Sequence, residues 1–166
     1  MNSSVKKFLI GGILFWISIL GGHANGHCSS EDKVAGVSSS RVEDELLKKW
    51  HHIYEAIAEI ESRRTPGVIS RSGKYVGYLQ ISPILVKEVN RILGKEVYSG
   101  KDRLNKEKSI EMFVIFQEHH NQGGSFEKAC RLWCSGDIHC MKNKTTFATS
   151  YFNRVLRKYH EMAANR

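Results

Sequence analysis

The chain holds only two prolines, Pro66 and Pro83, and each stands at the edge of a helical pattern. Upstream of the first, apolar residues fall at Val42, Leu46, Trp50, Ile53, Ile57 and Ile60. Gaps of three and four put them on one face of an amphipathic helix. Ser40 reads as its cap, with Glu43, Asp44 and Glu45 favouring the positive end of the dipole. Pro66 biases the residue before it away from helical geometry, so this helix is expected to stop around residues 63–65. Ser82 and Pro83 then read as the cap and first position of a second helix.

The segment between the prolines carries turn chemistry at Pro66-Gly67 and through residues 70–73. Residues 75–81 are apolar and partly β-branched, and are expected to be extended, in a small hairpin at most. Gly77 would let the backbone approach another surface closely. Beyond Pro83, Leu85, Val89, Ile92 and Leu93 predict one buried face, with Gly94 as the stop. A charged loop comes next, over residues 95–104. In the helix predicted over 105–120, Met112, Phe113, Val114, Ile115 and Phe116 are apolar nearly all round, which places it at the centre of the core. Ser125 caps a helix whose Phe126, Ala129 and Trp133 share a face. The last helix, over 146–162, turns Phe147, Tyr151, Val155, Leu156 and Tyr159 inward. The fold class is therefore mainly α, with five or so helices and too little extended chain for a large sheet.

Three glutamates sit late in the first helix and are not equivalent. Glu55 and Glu59 lie with His52 and Lys48 on the face opposite the apolar stripe. Glu61 is one turn after Ile57 and two turns after Tyr54, so it projects along the rim of that stripe. A carboxyl pressed against apolar surface has its charged form disfavoured, and its pKa rises. Such a group holds a proton near neutrality, as the general acid of a glycosidase must. The helix alone leaves open the plainer alternative of a surface glutamate near a helix end.

The residues beyond Glu61 narrow the choice. Glu61-Ser62, Thr65-Pro66, Ser72-Gly73 and Gly77-Tyr78-Leu79-Gln80-Ile81-Ser82-Pro83 resemble the signature of soluble lytic transglycosylases, a family of the lysozyme-like superfamily. Downstream, Ala129-Cys130-Arg131-Leu132-Trp133-Cys134-Ser135-Gly136 is similar to the family's Ala-x-x-Tyr/Trp-Asn-x-Gly motif, with Cys134 where an Asn is usual. A sulfur is a weak hydrogen-bonding group beside an amide. The resemblance implies a lysozyme-like α+β domain over residues 41–162. It implies Glu61 as the catalytic acid and Ser62, Gly77, Tyr78, Gln80, Trp133 and Cys134 as groups that bind the substrate. The partner implied is a peptidoglycan glycan strand, cut at the MurNAc–GlcNAc β-1,4 bond, with the sugar's own C6 hydroxyl attacking to give a 1,6-anhydro product. Wall turnover and service to an envelope machine for secretion or conjugation are both open. The alternative is a peptidoglycan- or polyanion-binding module that keeps the fold without the activity.

Other carboxylates are available as a second catalytic group. Glu111 and Glu118 lie on the central helix, and Asp102 and Asp137 in loops. Glu111 could sit near the cleft, with a surface or capping residue as the alternative, and the region around Glu61 offers no obvious partner aspartate. Hydrolases with two carboxylates use the second as nucleophile or base, so the missing partner favours the transglycosylase. Trp133 reads equally as core and as a sugar-stacking platform.

Residues 1–26 read as a signal peptide. Lys6 and Lys7 precede an apolar run of thirteen residues, 8–20, and Ala24-Asn25-Gly26 offers a small-x-small cleavage site. The run is shorter than the ~20 residues of a spanning helix. An uncleaved anchor is one alternative, and a lipoprotein at Cys28 another, though bulky His27 precedes that cysteine. Residues 27–40 read as a flexible leader. The expected location is periplasmic or secreted, without stable membrane insertion. Removing Lys6 and Lys7 takes the net charge from +8 to +6, a basic surface suited to an anionic polymer. Charge alone does not choose between cell-wall glycan and nucleic acid; the motifs imply the glycan.

An exported chain permits disulfides. Among Cys28, Cys130, Cys134 and Cys140 the pairing expected is Cys134–Cys140, with free thiols as the alternative. The pairs His51-His52 and His119-His120 match no ligand spacing, so neither a metal nor a cofactor is expected.

Overall fold

A computed structural model describes residues 39–165. The signal segment, the leader up to residue 38 and Cys28 lie outside the described residues. The chain divides after Leu47 into two units. The first contributes the opening turns of α1 (Ser39–Ser62). That helix is already formed at Ser39, so Ser40 lies inside it rather than capping it. Everything that builds the site belongs to the second unit, from Lys48 onward.

The second unit is mainly helical, with turns and loops between the helices and almost no strand. After α1 come α2 (Pro83–Leu93), a 3₁₀ turn (Gly100–Leu104), α3 (Lys106–His120), α4 (Phe126–Ser135) and α5 (Thr146–Ala164). α2 packs on α3, and α4 packs on α5. α3 is the hub: every residue from Ser109 to Gln117 is buried, as its all-round apolar character requires. Burying side chains such as Met112 and Phe113 stabilises the fold by ~2–3 kcal/mol each. Trp50, Ile53, Tyr54 and Ile57 of α1 are buried too, and Trp50 and Tyr54 meet the Phe113 ring edge-on.

α1 ends through two arginines in the left-handed region, Arg63 (φ 52°) and Arg64 (φ 58°). The Arg64 amide reaches back to the Ala58 carbonyl at 3.1 Å, satisfying an end carbonyl that would otherwise lack a partner. The segment between the prolines forms no strand, only isolated antiparallel bridges from Val76 to Ile69 and to Ile81. It is fastened at three points. Ser62 Oγ donates to the Tyr78 carbonyl at 2.7 Å, and Tyr78 Oη donates to Glu55 Oε1 at 2.7 Å. From the 3₁₀ turn, Arg103 Nη1 donates to the carbonyls of Lys74 and Ile81. Gly77 (φ 83°) is the point of closest approach, where an added Cβ would stand 1.8 Å from the Arg103 carbonyl oxygen.

Several expectations are corrected. Glu55, expected on a solvated face, is partnered by Tyr78. α2 is rotated relative to the expected stripe, burying Val86, Val89 and Asn90; Asn90 is held inside because its amide spans Glu96, Val97 and Tyr98. Phe147, expected inward, is 67% exposed. Cys130, Cys134 and Cys140 are all free thiols. The Cys134–Cys140 bridge is absent, and Cys134 Sγ turns instead to the Arg131 carbonyl of its own helix at 3.4 Å.

Candidate active site

α1 ends against a groove of about 870 Å³. Ile60 and Glu61 of α1 line it, together with Lys74, Tyr75, Gln80 and Ile81 from the segment between the prolines. α2 contributes Ile84, Leu85 and Glu88, and α3 contributes Phe116 and His120. Further wall comes from the end of α4 and the turn after it, including Trp133 and Cys134, from Ile138 in the following loop, and from Phe147, Tyr151 and Arg154 of α5. Tyr75, Ile84, Ile138 and Phe147 are exposed apolar side chains, and all four stand on this groove. Apolar surface left open to water and gathered at one concavity marks a binding site.

Glu61 is the carboxyl at the junction of α1 and α5. Its Oε1 accepts a hydrogen bond of 2.6 Å from Tyr151 Oη. Burial raises its pKa above the ordinary carboxylic value, against the opposing pull of the Tyr151 hydroxyl and of the Arg154 charge. Desolvation thus outweighs both stabilisers of the ionised form. Tyr151 is buried, and its pKa is pushed well up by that burial and by the facing carboxylate. The proton of this pair therefore stays on the phenol, which donates.

Glu88 is the other carboxyl in the groove, and its surroundings do the reverse. The Arg91 fork grips both its oxygens at 2.7 Å, and His120 Nε2 lies 2.8 Å from Oε1. The Arg91 hydrogen bonds hold its pKa down to about 2. Cys134 faces Glu61 as well; burial, then the negative charge of Glu61, pushes its thiol up to about 11, so the group is neutral at ordinary pH and unfit as a nucleophile.

Of the residues singled out in the sequence, the groove gathers Glu61, Gln80, Trp133 and Cys134. Gln80 sits in the left-handed region at φ 51°, and its amide Nε2 donates to the Val68 and Gly77 carbonyls. The amide thereby stiffens the turn that forms one lip. Trp133 is half-buried and takes both roles open to it: its ring packs 4.9 Å from Phe113 while it lines the groove. Ser62, Gly77 and Tyr78 do not line it. They tie the segment to α1 and to the 3₁₀ turn, and so act through backbone geometry. Glu111 is buried and accepts from Tyr98. Glu118 accepts from Trp50 and Lys49. Asp102 caps the 3₁₀ turn and Asp137 holds the loop after α4, so none of these four carboxylates lines the groove.

Glu88, His120, Tyr151 and Arg154 are groove residues that sequence patterns alone do not expose. Tyr151 carried a signal only as an inward-facing position of the last helix. Among the described residues no cluster of three or more His, Cys, Asp or Glu side chains is placed to hold a metal ion, and no helix is long and apolar enough to cross a membrane. No protein-family model matches the chain, and no curated protein or solved structure is significantly similar to it.

Proposed function

We propose that this chain cleaves the β-1,4 glycosidic bond between MurNAc and GlcNAc of peptidoglycan, with Glu61 as general acid and then general base. The observation that carries the reading is a carboxyl of raised proton affinity, oriented by Tyr151 Oη at 2.6 Å in the wall of an 870 Å³ groove with apolar rims. A protonated Glu61 donates to the glycosidic oxygen as the bond breaks through an oxocarbenium-like state. The apolar rims suit the C–H faces of sugar rings, and Trp133 offers one of them an aromatic platform.

The fate of the sugar cation depends on the second carboxyl. Glu88 is satisfied by Arg91 and His120, and its low proton affinity makes it a weak base for activating water. That favours attack by the sugar's C6 hydroxyl, with Glu61 now taking the proton, to give a 1,6-anhydro product. The site of action proposed is the periplasm or the cell exterior.

Incubation with purified peptidoglycan and mass measurement of the products tests this directly. Fragments lighter by one water than the hydrolytic muropeptides are expected. Fragments at the hydrolytic mass would convert the enzyme to a muramidase, and intact strands would remove the proposal. Cys134 favours a second reading, a non-catalytic module that binds peptidoglycan: its Sγ is spent on its own helix and offers no amide to a sugar. Retention on sacculi without release of muropeptides is the outcome that reading requires.

A further inference from the structure

The face of α5 next to the groove carries a second concavity, of about 510 Å³. It is lined by Thr146, Thr149, Ser150, Asn153, Arg154 and Arg157 of α5, and Lys144 closes one end. The helical residues recur at gaps of three and four, so they form one continuous stripe. No carboxylate lines the concavity. Arg154 lines both it and the groove, so the two share a wall within one turn of Tyr151.

The stripe is also underused within the fold. Arg154 makes no side-chain hydrogen bond or close ion pair among the described residues, and its charge acts on Glu61 only through space. Lys144 and Arg157 make only long contacts, 3.6 Å to Glu127 and 3.9 Å to Glu161, and all three cations are exposed. Exposed pairs at such distances stabilise little, so the three charges are held ready for an external anion at small cost. The Thr149 hydroxyl is taken up within the fold, accepting from Arg131 and donating to the Thr145 carbonyl, but the Thr146 and Ser150 hydroxyls and the Asn153 amide alongside the cations supply neutral hydrogen bonds of the kind that orient a carboxylate.

We propose that this concavity is an anion subsite that takes the carboxylates of the peptide stems borne by the glycan strand in the groove. The inference rests on the peptidoglycan reading above and adds a preference to it. A MurNAc unit carries its peptide on the lactyl group, at the side of the strand. A strand lying against Glu61 then brings one stem over the α5 stripe, where Arg154, Lys144 and Arg157 meet its negative charge. The enzyme would thereby select strands with stems attached over bare glycan.

The test uses Glu61→Gln, which binds without cutting, and two glycans: strands with stems and strands stripped by an amidase. Two exposed cations contribute a fold-change of about five in affinity at low salt. The Glu61→Gln protein is therefore expected to prefer stem-bearing strands by that factor, with the preference fading as salt rises. Adding Lys144→Gln and Arg157→Gln, which leaves Arg154 as the one cation of the concavity, should remove most of the preference and leave affinity for stripped strands unchanged, with an unaltered melting curve to show that the fold is kept. Equal binding of the two glycans, or a preference that the added substitutions leave undiminished, overturns the subsite. Capture of anionic lipid vesicles that these substitutions abolish, without any stem preference, would also overturn it by assigning the patch to lipid phosphate. Wild-type cleavage reports separately. A stem preference in a protein that cuts neither glycan keeps the subsite and removes the chemistry, whereas equal cutting of both with no preference does the opposite.

Discussion

Glu61 and Glu88 line the same groove, yet their surroundings drive their protons in opposite directions. Glu61 is desolvated at the end of α1 and receives one neutral donor, Tyr151, so burial wins and its pKa rises. Glu88 sits on α2 within reach of water, and the Arg91 fork and His120 hold it ionised down to about pH 2. Two carboxylic acids of nearly equal intrinsic pKa are thus separated by environment alone, the arrangement by which acid and base roles are divided in glycosidases. The lesson is that counting carboxylates near a cleft says little. The donors around each one decide what it can do.

The largest effect should come from removing the member of raised proton affinity. Glu61→Gln keeps the shape and can still accept from Tyr151, but it has no proton to give. Loss of muropeptide release by about 10³-fold or more is expected, the scale of general acid catalysis, with circular dichroism unchanged. Residual release within tenfold of wild type would detach the raised pKa from any catalytic role. Next in size is Gly77→Ala, in the segment that joins the helices carrying the two carboxyls. A methyl 1.8 Å from the Arg103 carbonyl, at a φ of 83°, forces backbone apart and is expected to cost on the order of 3 kcal/mol. Urea denaturation measures it, and a midpoint shift too small to resolve would contradict the close approach.

Tyr151→Phe sharpens the comparison from the other side. The phenol favours the ionised carboxyl, so its loss pushes the Glu61 pKa higher still. In the proposed mechanism the reaction starts from the protonated form, so activity is expected to fall as pH rises through that pKa. The alkaline limb should therefore move to higher pH in the variant, while stability drops by about 1–2 kcal/mol for the lost buried hydrogen bond. A limb that moves to lower pH would show that another group, and not Glu61, sets the profile.

How much of this was legible in the sequence differs by kind of feature. Local backbone chemistry was: Ser82 and Ser125 cap their helices, Pro83 opens α2, and Gly94 ends α2 at φ 69°. The unbroken apolar run from Met112 to Phe116 sits in the core, since a helix with no polar side has nowhere else to go. Ser62, Gly77 and Tyr78 were legible as a cluster but not as to task, because a motif cannot separate side chains that face a groove from side chains that build its frame. Phe147 read as core by periodicity and stands on the groove rim instead. The Tyr151–Glu61 contact spans 90 positions, and the Glu88–His120 contact spans 32. Pairings of that range depend on how α5 and α3 are docked, which no local pattern encodes.

The smallest effect expected is at Glu88, and its sign is fixed. A carboxyl whose folded pKa lies near 2, below the ~4.3 of an unfolded chain, adds stability that is complete above the unfolded value and is lost as pH falls through the folded one. Arg91→Gln removes the largest cause of the depression. The variant should therefore be slightly less stable than wild type at pH 6, and the two midpoints in urea should converge toward pH 2. The difference will be small, because Arg91 is exposed and solvent screens its charge. The same substitution bears on the chemistry. With the guanidinium gone, the Glu88 pKa climbs toward the ordinary carboxylic value and its capacity to accept a proton from water grows. If only that restraint keeps water from competing with the C6 hydroxyl, Arg91→Gln should raise the share of hydrolytic product over anhydro product in the mass spectrum. An unchanged ratio would place Glu88 outside the chemistry and leave Glu61 as the one carboxyl in the groove that handles the proton.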